Sequence, residues 1–327
     1  MTTISKIRLG VVGAGRIAPH HLRAAVNNGF VLDSICAREN SQRAQILGSE
    51  FGFREVCKTF DEFLAQQVDA YLVLTETSAQ VSIASRLLEK DKPILIEKPV
   101  SVNPDEIKSL LEKDKQGKIV VGYNRRNLSS TKRLKSELNN LEILNFQIKV
   151  PELASNTNPS AEDIRYMILE NSVHVFDLAF FLFGKPKTWS VKSLNSDSKM
   201  FTRNIELDYR NGRVGSILVT VGVPDNWSIS VFTPGNRFVL SPLEVFNHYD
   251  KIDSVAATNE RPNKLYIPKI SQDWNPDIED LTFKAGFYAQ MRDFRTFVIS
   301  NARPQTLGSL SEAQFVVSFA QALLEID

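Results

Sequence analysis

The stretch IRLGVVGAGRIAPHH, residues 7–21, constrains this chain more than any other. A short apolar run meets a glycine-rich turn, and the turn opens straight into a helical pattern. The turn reads Gly13-Ala14-Gly15-Arg16-Ile17-Ala18, a G-x-G-x-x-A spacing. Gly13 allows a tight reversal, Gly15 leaves bare backbone for a pyrophosphate to approach, and Ala18 is small enough for close helix–strand packing. A helix N-terminus placed there offers N–H groups and partial positive charge to phosphates. The expected unit is a strand, a dinucleotide-binding turn and a helix.

The chain beyond this helix repeats that alternation. FVLDSICA, AYLVL, PILIE and KIVVGY read as buried strands, and SQRAQILGSEF, AQVSIASRLLEK and NPDEIKSLLEK read as helices between them. Thr59 and Glu62 stand in capping-box spacing, and Asn103-Pro104 reads as a cap followed by a first-turn proline. Repeated strand–helix units predict a doubly wound parallel sheet with helices on both faces, an α/β fold.

The pattern changes near Gly122–Tyr123. A helix over TKRLKSELNN and a strand over LEILNFQIKV come first, then a helix over SVHVFDLAFFLFG. The strands of IELDYRNGRVGSILVTVG alternate about Asn211-Gly212, read as a two-residue hairpin turn, and a second hairpin turns at TPGN. From Lys284 on the periodicity is helical again. Residues 1–122 are therefore expected to form a dinucleotide-binding Rossmann domain. Residues 123–327 are expected to form an α+β domain for substrate binding and oligomerisation, built on a large, mostly antiparallel, open-faced sheet. Its C-terminal helices are free to pack back on the first domain. An apolar open face favours a homodimer or homotetramer.

Composition narrows the partners. With a net charge of +1 over 327 residues there is no basic field for nucleic acid, which points to small molecules. No run of eighteen uninterrupted apolar residues is found, and the N-terminus lacks the apolar core of a secretory signal, so a cytoplasmic protein is expected. Cys36 and Cys57 read as reduced thiols, and the four histidines and two cysteines show no metal-ligand spacing.

Cofactor choice turns on the end of the second strand. An NAD site places a carboxylate there for the ribose hydroxyls. This chain has Ala37 and Arg38 in SICARENSQRA. Arg38, helped by Ser41 or Arg43, can pair with a 2′-phosphate, which favours NADP over NAD. The alternative is an Arg38 that points to solvent or stacks on adenine.

The stretch PILIEKPVSVNPDE, with Glu97-Lys98-Pro99 at the end of the fifth strand, resembles the glucose–fructose oxidoreductase / inositol dehydrogenase / rhizopine-catabolism (Gfo/Idh/MocA) family. VGYNRR follows at the family's spacing, ENSVHVFDLAFFLFG resembles the helix that carries its D-x-x-x-H pair, and residues 291–323 resemble its closing segment. The resemblance implies that Lys98 lies beside the nicotinamide and the reacting hydroxyl, and that His174 orients the substrate. It implies cofactor contacts from Gly13, Gly15, Arg16 and Ile17, from Ala37 and Arg38, and from Thr75, Glu97 and Lys98. Substrate contacts are then expected from Lys98, Tyr123, Asn124, Arg125, Asn171 and His174, with Asp177 one turn along the helix from His174. Independently of the family, strand ends at the switch point of an open parallel sheet are where ligands bind, and a lysine beside a cationic nicotinamide is suited to proton transfer.

The departures are specific. Glu170 stands where the family has an aspartate four residues before the histidine, RYMI replaces a glycine pair, and TETSAQ, ending in Gln80, replaces a T-P-x-x-x-H pattern. His20 and His21 read as surface or crevice residues of the first helix. The expected activity is hydride transfer between nicotinamide and a carbinol or carbonyl carbon of a sugar, polyol or nucleotide-linked sugar, with Lys98, His174 and Glu170 at the reacting centre. Two other readings keep the dinucleotide: an NAD-dependent glycoside hydrolase, and a non-catalytic dinucleotide-binding regulator.

Overall fold

The computed structural model describes residues 6–153, 159–194, 201–271 and 274–325. The first five residues, on which the expectation about a secretory leader falls, lie outside them. The apolar runs of the first third become strands because both their faces are covered, so unbroken stretches such as AYLV, ILI and IVV are buried throughout. Chain order is β1 Ile7–Val12, α1 Ala18–Asn27, β2 Phe30–Cys36, α2 Gln42–Phe51, β3 Glu55–Cys57, α3 Phe60–Leu64, β4 Ala70–Val73, α4 Thr77–Leu88, β5 Ile94–Ile96, α5 Pro104–Lys113 and β6 Ile119–Val121. The sheet order is β3-β2-β1-β4-β5-β6, all parallel. The order reverses between β1 and β4, which opens a crevice at the carboxyl ends of those strands. β3, a three-residue edge strand, is too short to stand out in the sequence.

Local chemistry starts and stops the helices much as expected. Ser41, Thr59 and Asn103 each accept a backbone N–H at the head of α2, α3 and α5, and Gly52 ends α2 in the left-handed region. Cys36 and Cys57 face each other on β2 and β3 as buried free thiols.

The first compact unit comprises Met1–Asn127, Ile168–Asp177 and Ile278–Ala322. It thus reaches past residue 122, and it takes in the C-terminal helices α9 Ile278–Thr282, α10 Phe287–Ser300 and most of α11 Leu310–Leu324. Met291 and Phe294 of α10 join the core over β1, β2 and α1. Val121 and Gly308 exchange backbone hydrogen bonds, which closes the outer edge of β6.

The second unit comprises Leu128–Met167, Leu178–Asp277 and Leu323–Asp327. It holds α6 Ser129–Leu138, β7 Asn145–Glu152, α7 Ala161–Tyr166 and the larger part of α8 Val173–Phe183, with β8 Thr188–Ser193, β9 Thr202–Asp208, β10 Val214–Val221, β11 Ser228–Thr233, β12 Asn236–Leu240, β13 Phe246–Val255 and β14 Leu265–Ile270. The sheet runs β14-β13-β12-β11-β7-β10-β9-β8, antiparallel except between β7 and β10. Alternate residues of β7 and β10, such as Ile148 and Ile217, are buried. The hairpin between β9 and β10 differs from its reading as a two-residue turn. Tyr209 N–H bonds Arg213 O, leaving three residues in the loop, and Gly212 takes φ +79°. Three-residue loops of this kind need a left-handed residue at their last position, and glycine supplies it. The TPGN hairpin does close on two residues, between Thr233 and Asn236.

Between α7 and α8 the helix widens into a π turn, Met167–Ser172, which the sequence does not announce. The helical run Ala161–Phe183 is long and apolar enough to cross a membrane by composition, although no eighteen of its residues are uninterruptedly apolar, and more than half of its apolar window is buried inside the protein.

Candidate active site

At the end of β1, Gly13 adopts φ +110°, and a Cβ there would lie 2.5 Å from Leu74 O at the end of β4. Only glycine fits this turn. A Cβ on Gly15 would meet nothing nearer than Leu74 O at 3.6 Å, so its bareness is not needed for packing within the protein. Gly15 and Arg16 are exposed, Ile17 is half-buried, and no side chain caps the head of α1. Half-buried Ala37 and exposed Arg38 end β2 beside this turn. Ser41 is occupied as the cap of α2, and Arg43 is exposed. Thr75 follows β4; among the described residues its buried Oγ1 has no hydrogen-bond partner. A glycine cradle, an uncapped helix head and an unmatched hydroxyl at the switch point fit a dinucleotide.

Glu97 and Lys98 follow β5. Lys98 Nζ donates to Glu170 O at 2.5 Å, which brings the end of β5 to the π turn. π turns often mark functional sites, because the extra residue displaces main-chain and side-chain groups from helical positions. The Glu170 carboxylate accepts from Thr77 Oγ1 at 2.9 and 3.1 Å. Burial pushes this carboxyl above its ordinary range, against the pull of the Thr77 hydrogen bond and the Lys98 charge. Thus the family's aspartate is replaced by a longer acid that a threonine of the altered TETSAQ segment steadies.

His174 lies one turn beyond Glu170. Its residue keeps some surface, but Nδ1 is buried. Burial, then the charges of Lys98, Arg125 and Lys284, hold the imidazole well below its ordinary pKa, so it is neutral at neutral pH. A neutral imidazole presents one donor and one acceptor, which suits it to orient a hydroxyl. Lys284 is itself lowered, by burial and by Arg125, while Glu97 opposes. Asn171 stands half-buried in the π turn between Glu170 and His174.

Two of the other expected substrate contacts, Tyr123 and Asn124, are buried, whereas Arg125 stays half-buried near His174. Tyr123 is fully buried, with burial raising its phenol well above the ordinary range. Asn124 is buried and donates to Ala285 O at 3.0 Å. Arg126 is also buried: it forks onto Asp177 at 2.8 and 2.5 Å and reaches Glu312 at 3.1 Å. Burial works against its charge, but the two carboxylates outweigh it. Asp177 therefore serves this clamp. Gln80 donates to Pro99 O at 3.2 Å and so pins the turn that carries Lys98.

His21 contradicts its reading as a surface or crevice residue. It is fully buried, its Nε2 lies 2.7 Å from Glu97 Oε1, and its neighbour His20 is exposed. A signal was present: Ala18, His21, Leu22 and Ala25 fall at helical spacing on one face of α1, and all four are buried.

Comparison with known proteins agrees with this construction. Residues 7–124 match the model of an oxidoreductase family with an NAD-binding Rossmann fold. Inositol 2-dehydrogenase of Rhizobium meliloti (strain 1021) is 25% identical over 89% of this chain and 88% of its own length. Myo-inositol 2-dehydrogenase of Thermotoga maritima is 24% identical over 77% of each chain. Among solved structures, a UDP-N-acetylglucosamine 3-dehydrogenase from Acidithiobacillus ferrooxidans superposes with a TM-score of 0.74 at 17% identity, covering 99% of this chain and 100% of that one; at this identity it speaks for the fold alone. The glycine turn, the Glu97-Lys98-Pro99 strand end and the likeness to inositol dehydrogenases over most of the chain agree: residues 7–124 carry the NAD-binding Rossmann fold of the Gfo/Idh/MocA oxidoreductase family.

Proposed function

We propose that this protein is a dehydrogenase of a cyclic polyol or sugar, nucleotide-linked sugars included, that uses NADP in preference to NAD. The observation that carries the reading is the convergence of Lys98, Glu170 and His174 at the carboxyl end of β5, fastened by the bond from Lys98 Nζ to Glu170 O. The inositol dehydrogenases among its relatives support the polyol. The dinucleotide is assigned to residues 1–122, with Gly13, Gly15, Arg16 and Ile17 at the pyrophosphate and Arg38 at the adenosine 2′-phosphate. Thr75, Glu97 and Lys98 line the nicotinamide end. Bound there, the nicotinamide supplies the hydride acceptor or donor.

The side chains divide the remaining work. Lys98 Nζ exchanges a proton with the reacting hydroxyl. Neutral His174 gives that hydroxyl one hydrogen bond and fixes its direction. Glu170 and Asn171 hold a neighbouring hydroxyl, with Thr77 keeping the longer acid in place. Arg125 binds an anionic substituent where the substrate has one. Residues 123–327 supply most of the substrate side and, through the open sheet, self-association. The exposed Ile252, Tyr266 and Ile267 of β13 and β14 support a dimer or tetramer, and light scattering that reports a monomer overturns that part.

The test is a side-by-side titration with NADPH and NADH by nicotinamide fluorescence, then a turnover screen with myo-inositol, scyllo-inositol and UDP-N-acetylglucosamine. Tighter NADPH binding and substrate-dependent reduction of NADP are expected. Binding of neither nucleotide overturns the reading, and binding without turnover on any of a broad set of polyols and sugars favours the non-catalytic alternative.

A further inference from the structure

Behind Lys98, on the side of α1, the same strand end holds a second buried contact. His21 Nε2 lies 2.7 Å from Glu97 Oε1, and the two side chains are 0% and 12% exposed. A carboxylate only accepts hydrogen bonds, so Nε2 carries the proton. The imidazole packs against Phe287 with ring centroids 4.5 Å apart, which fixes its plane. The other carboxylate oxygen, Oε2, accepts from the backbone N–H of Lys98 at 3.2 Å. Gly122 leaves the space: a Cβ there would stand 3.2 Å from Glu97 Oε1 and 3.5 Å from Gln290 Nε2. Among the described residues neither amide atom of buried Gln290, nor His21 Nδ1, has a hydrogen-bond partner, so Glu97 Oε1 is held in this nest by His21 alone.

The charges around Glu97 explain why such a tether is needed. Lys98 is its neighbour, and Lys284 acts on it from the segment before α10. A carboxylate released in a poorly solvated pocket moves toward the nearest ammonium, because the attraction grows as water is excluded. If it paired with Lys98 Nζ, it would hold the amine in its protonated form and draw it from Glu170 O.

We infer that His21 is a positioning residue of the lysine site: its bond to Glu97 Oε1 keeps the carboxylate off the Lys98 amine, which stays on Glu170 O. His21 is in the first turn of α1, three residues after Ala18 of the glycine fingerprint, so the bond also ties the dinucleotide turn to the residue that moves the proton. The inference rests on the reading of Lys98 as the proton-transfer group, but its geometry is read without turnover.

Trace acetylation of the purified full chain with acetic anhydride at pH 8 reports the free-amine fraction of Lys98, quantified by mass spectrometry against the exposed Lys90. His21→Ala is expected to lower Lys98 labelling by about three-fold or more, as pairing with a carboxylate favours the charged amine. His21→Phe keeps a ring against Phe287 but has no donor, and it is expected to act alike, which covers the case in which the alanine variant does not fold. His21→Gln, whose amide donates to Glu97, restores labelling. So does adding Glu97→Gln to either defective variant, because no carboxylate is then left to pair; a purely structural defect would survive that change. Wild-type labelling in folded His21→Phe, or no recovery on adding Glu97→Gln, overturns the inference. Failure of every polyol as substrate, with this labelling pattern intact, would count against the proposed reaction and leave the tether standing.

Discussion

His174 and Asp177 lie three residues apart on one helix, yet they belong to opposite kinds of buried electrostatics. Asp177 forks onto Arg126 with both side chains buried, and the partly exposed Glu312 takes a further N–H of the same guanidinium, so the charges are paired. His174 faces Lys98, Arg125 and Lys284, and burial and their charges keep it neutral. In the clamp burial raises Asp177 to about 6, but the Arg126 charge and hydrogen bonds oppose it and the groups satisfy one another. Around His174 burial raises Glu170 and lowers the imidazole, and the charges facing the imidazole are all positive, so a neighbouring acid and base are both pushed toward their neutral forms. Groups perturbed in this way at a strand-end crevice are the ones suited to proton chemistry at neutral pH.

The contrast predicts a clean separation of effects. Lys98→Ala should lower turnover by about 10²–10⁴-fold, the usual worth of a positioned acid–base group, while NADPH affinity stays within a few-fold. Steady-state kinetics beside the fluorescence titration checks both, and a variant that keeps most of its turnover would remove Lys98 from the reaction. Asp177→Ala should do the reverse. Leaving Arg126 buried with only half its carboxylates costs about 3–5 kcal/mol of stability, read by urea unfolding, whereas Lys98→Ala, at a half-buried side chain, should be close to neutral.

The pH dependence sharpens the same comparison. Below pH 6.5 the unfolded chain protonates His174, while the folded protein holds the imidazole neutral until well below that value. The unfolded state then binds more protons, so stability falls as the pH drops below 6.5, by at most about 1.4 kcal/mol per pH unit from this group, and is unaffected above it. His174→Asn should remove that slope; unfolding curves of both proteins at pH 7.5 and 5.5 give the difference directly. A smaller effect belongs to the dinucleotide turn. Arg38 is exposed, so Arg38→Ala should weaken NADPH by roughly ten-fold, about 1.4 kcal/mol, and leave NADH nearly unchanged. Equal losses for both nucleotides would show that Arg38 does not read the 2′-phosphate.

Much of this was legible in the sequence because it is local. The glycine turn, the capped helices and the buried strands each carry their signal within a few residues, and the Glu97-Lys98-Pro99 strand end identifies itself by its neighbours. Contacts between distant positions were not legible. His21 meets Glu97 across 76 residues, Arg126 meets Asp177 across 51, and neither partner's immediate neighbours specify the other. The π turn was hidden for another reason: a helix with one extra residue has no composition of its own, and its effect on Glu170 shows only once Lys98 is seen to reach the Glu170 carbonyl. Gln80 stood out in the sequence only as the residue replacing the histidine of the T-P-x-x-x-H pattern, and nothing in its neighbours announced that its amide turns inward to hold Pro99 O.

Tyr123 offers the finest division between the two clusters, because sequence and structure disagree about it. The resemblance places it at the substrate, whereas the fold buries its ring beside Arg126, with the guanidinium 5.6 Å from the ring centroid. Among the described residues its hydroxyl has no hydrogen-bond partner. Removing an unmatched buried hydroxyl relieves its desolvation and opens little space, so Tyr123→Phe should change stability by no more than about 1 kcal/mol, in the stabilising direction if at all. A hydroxyl that touched substrate would instead raise KM on removal. Unchanged KM and kcat with equal or higher Tm therefore assign Tyr123 to the structural side of the comparison. A several-fold rise in KM would return it to the site and show that the buried ring opens toward the crevice when substrate binds.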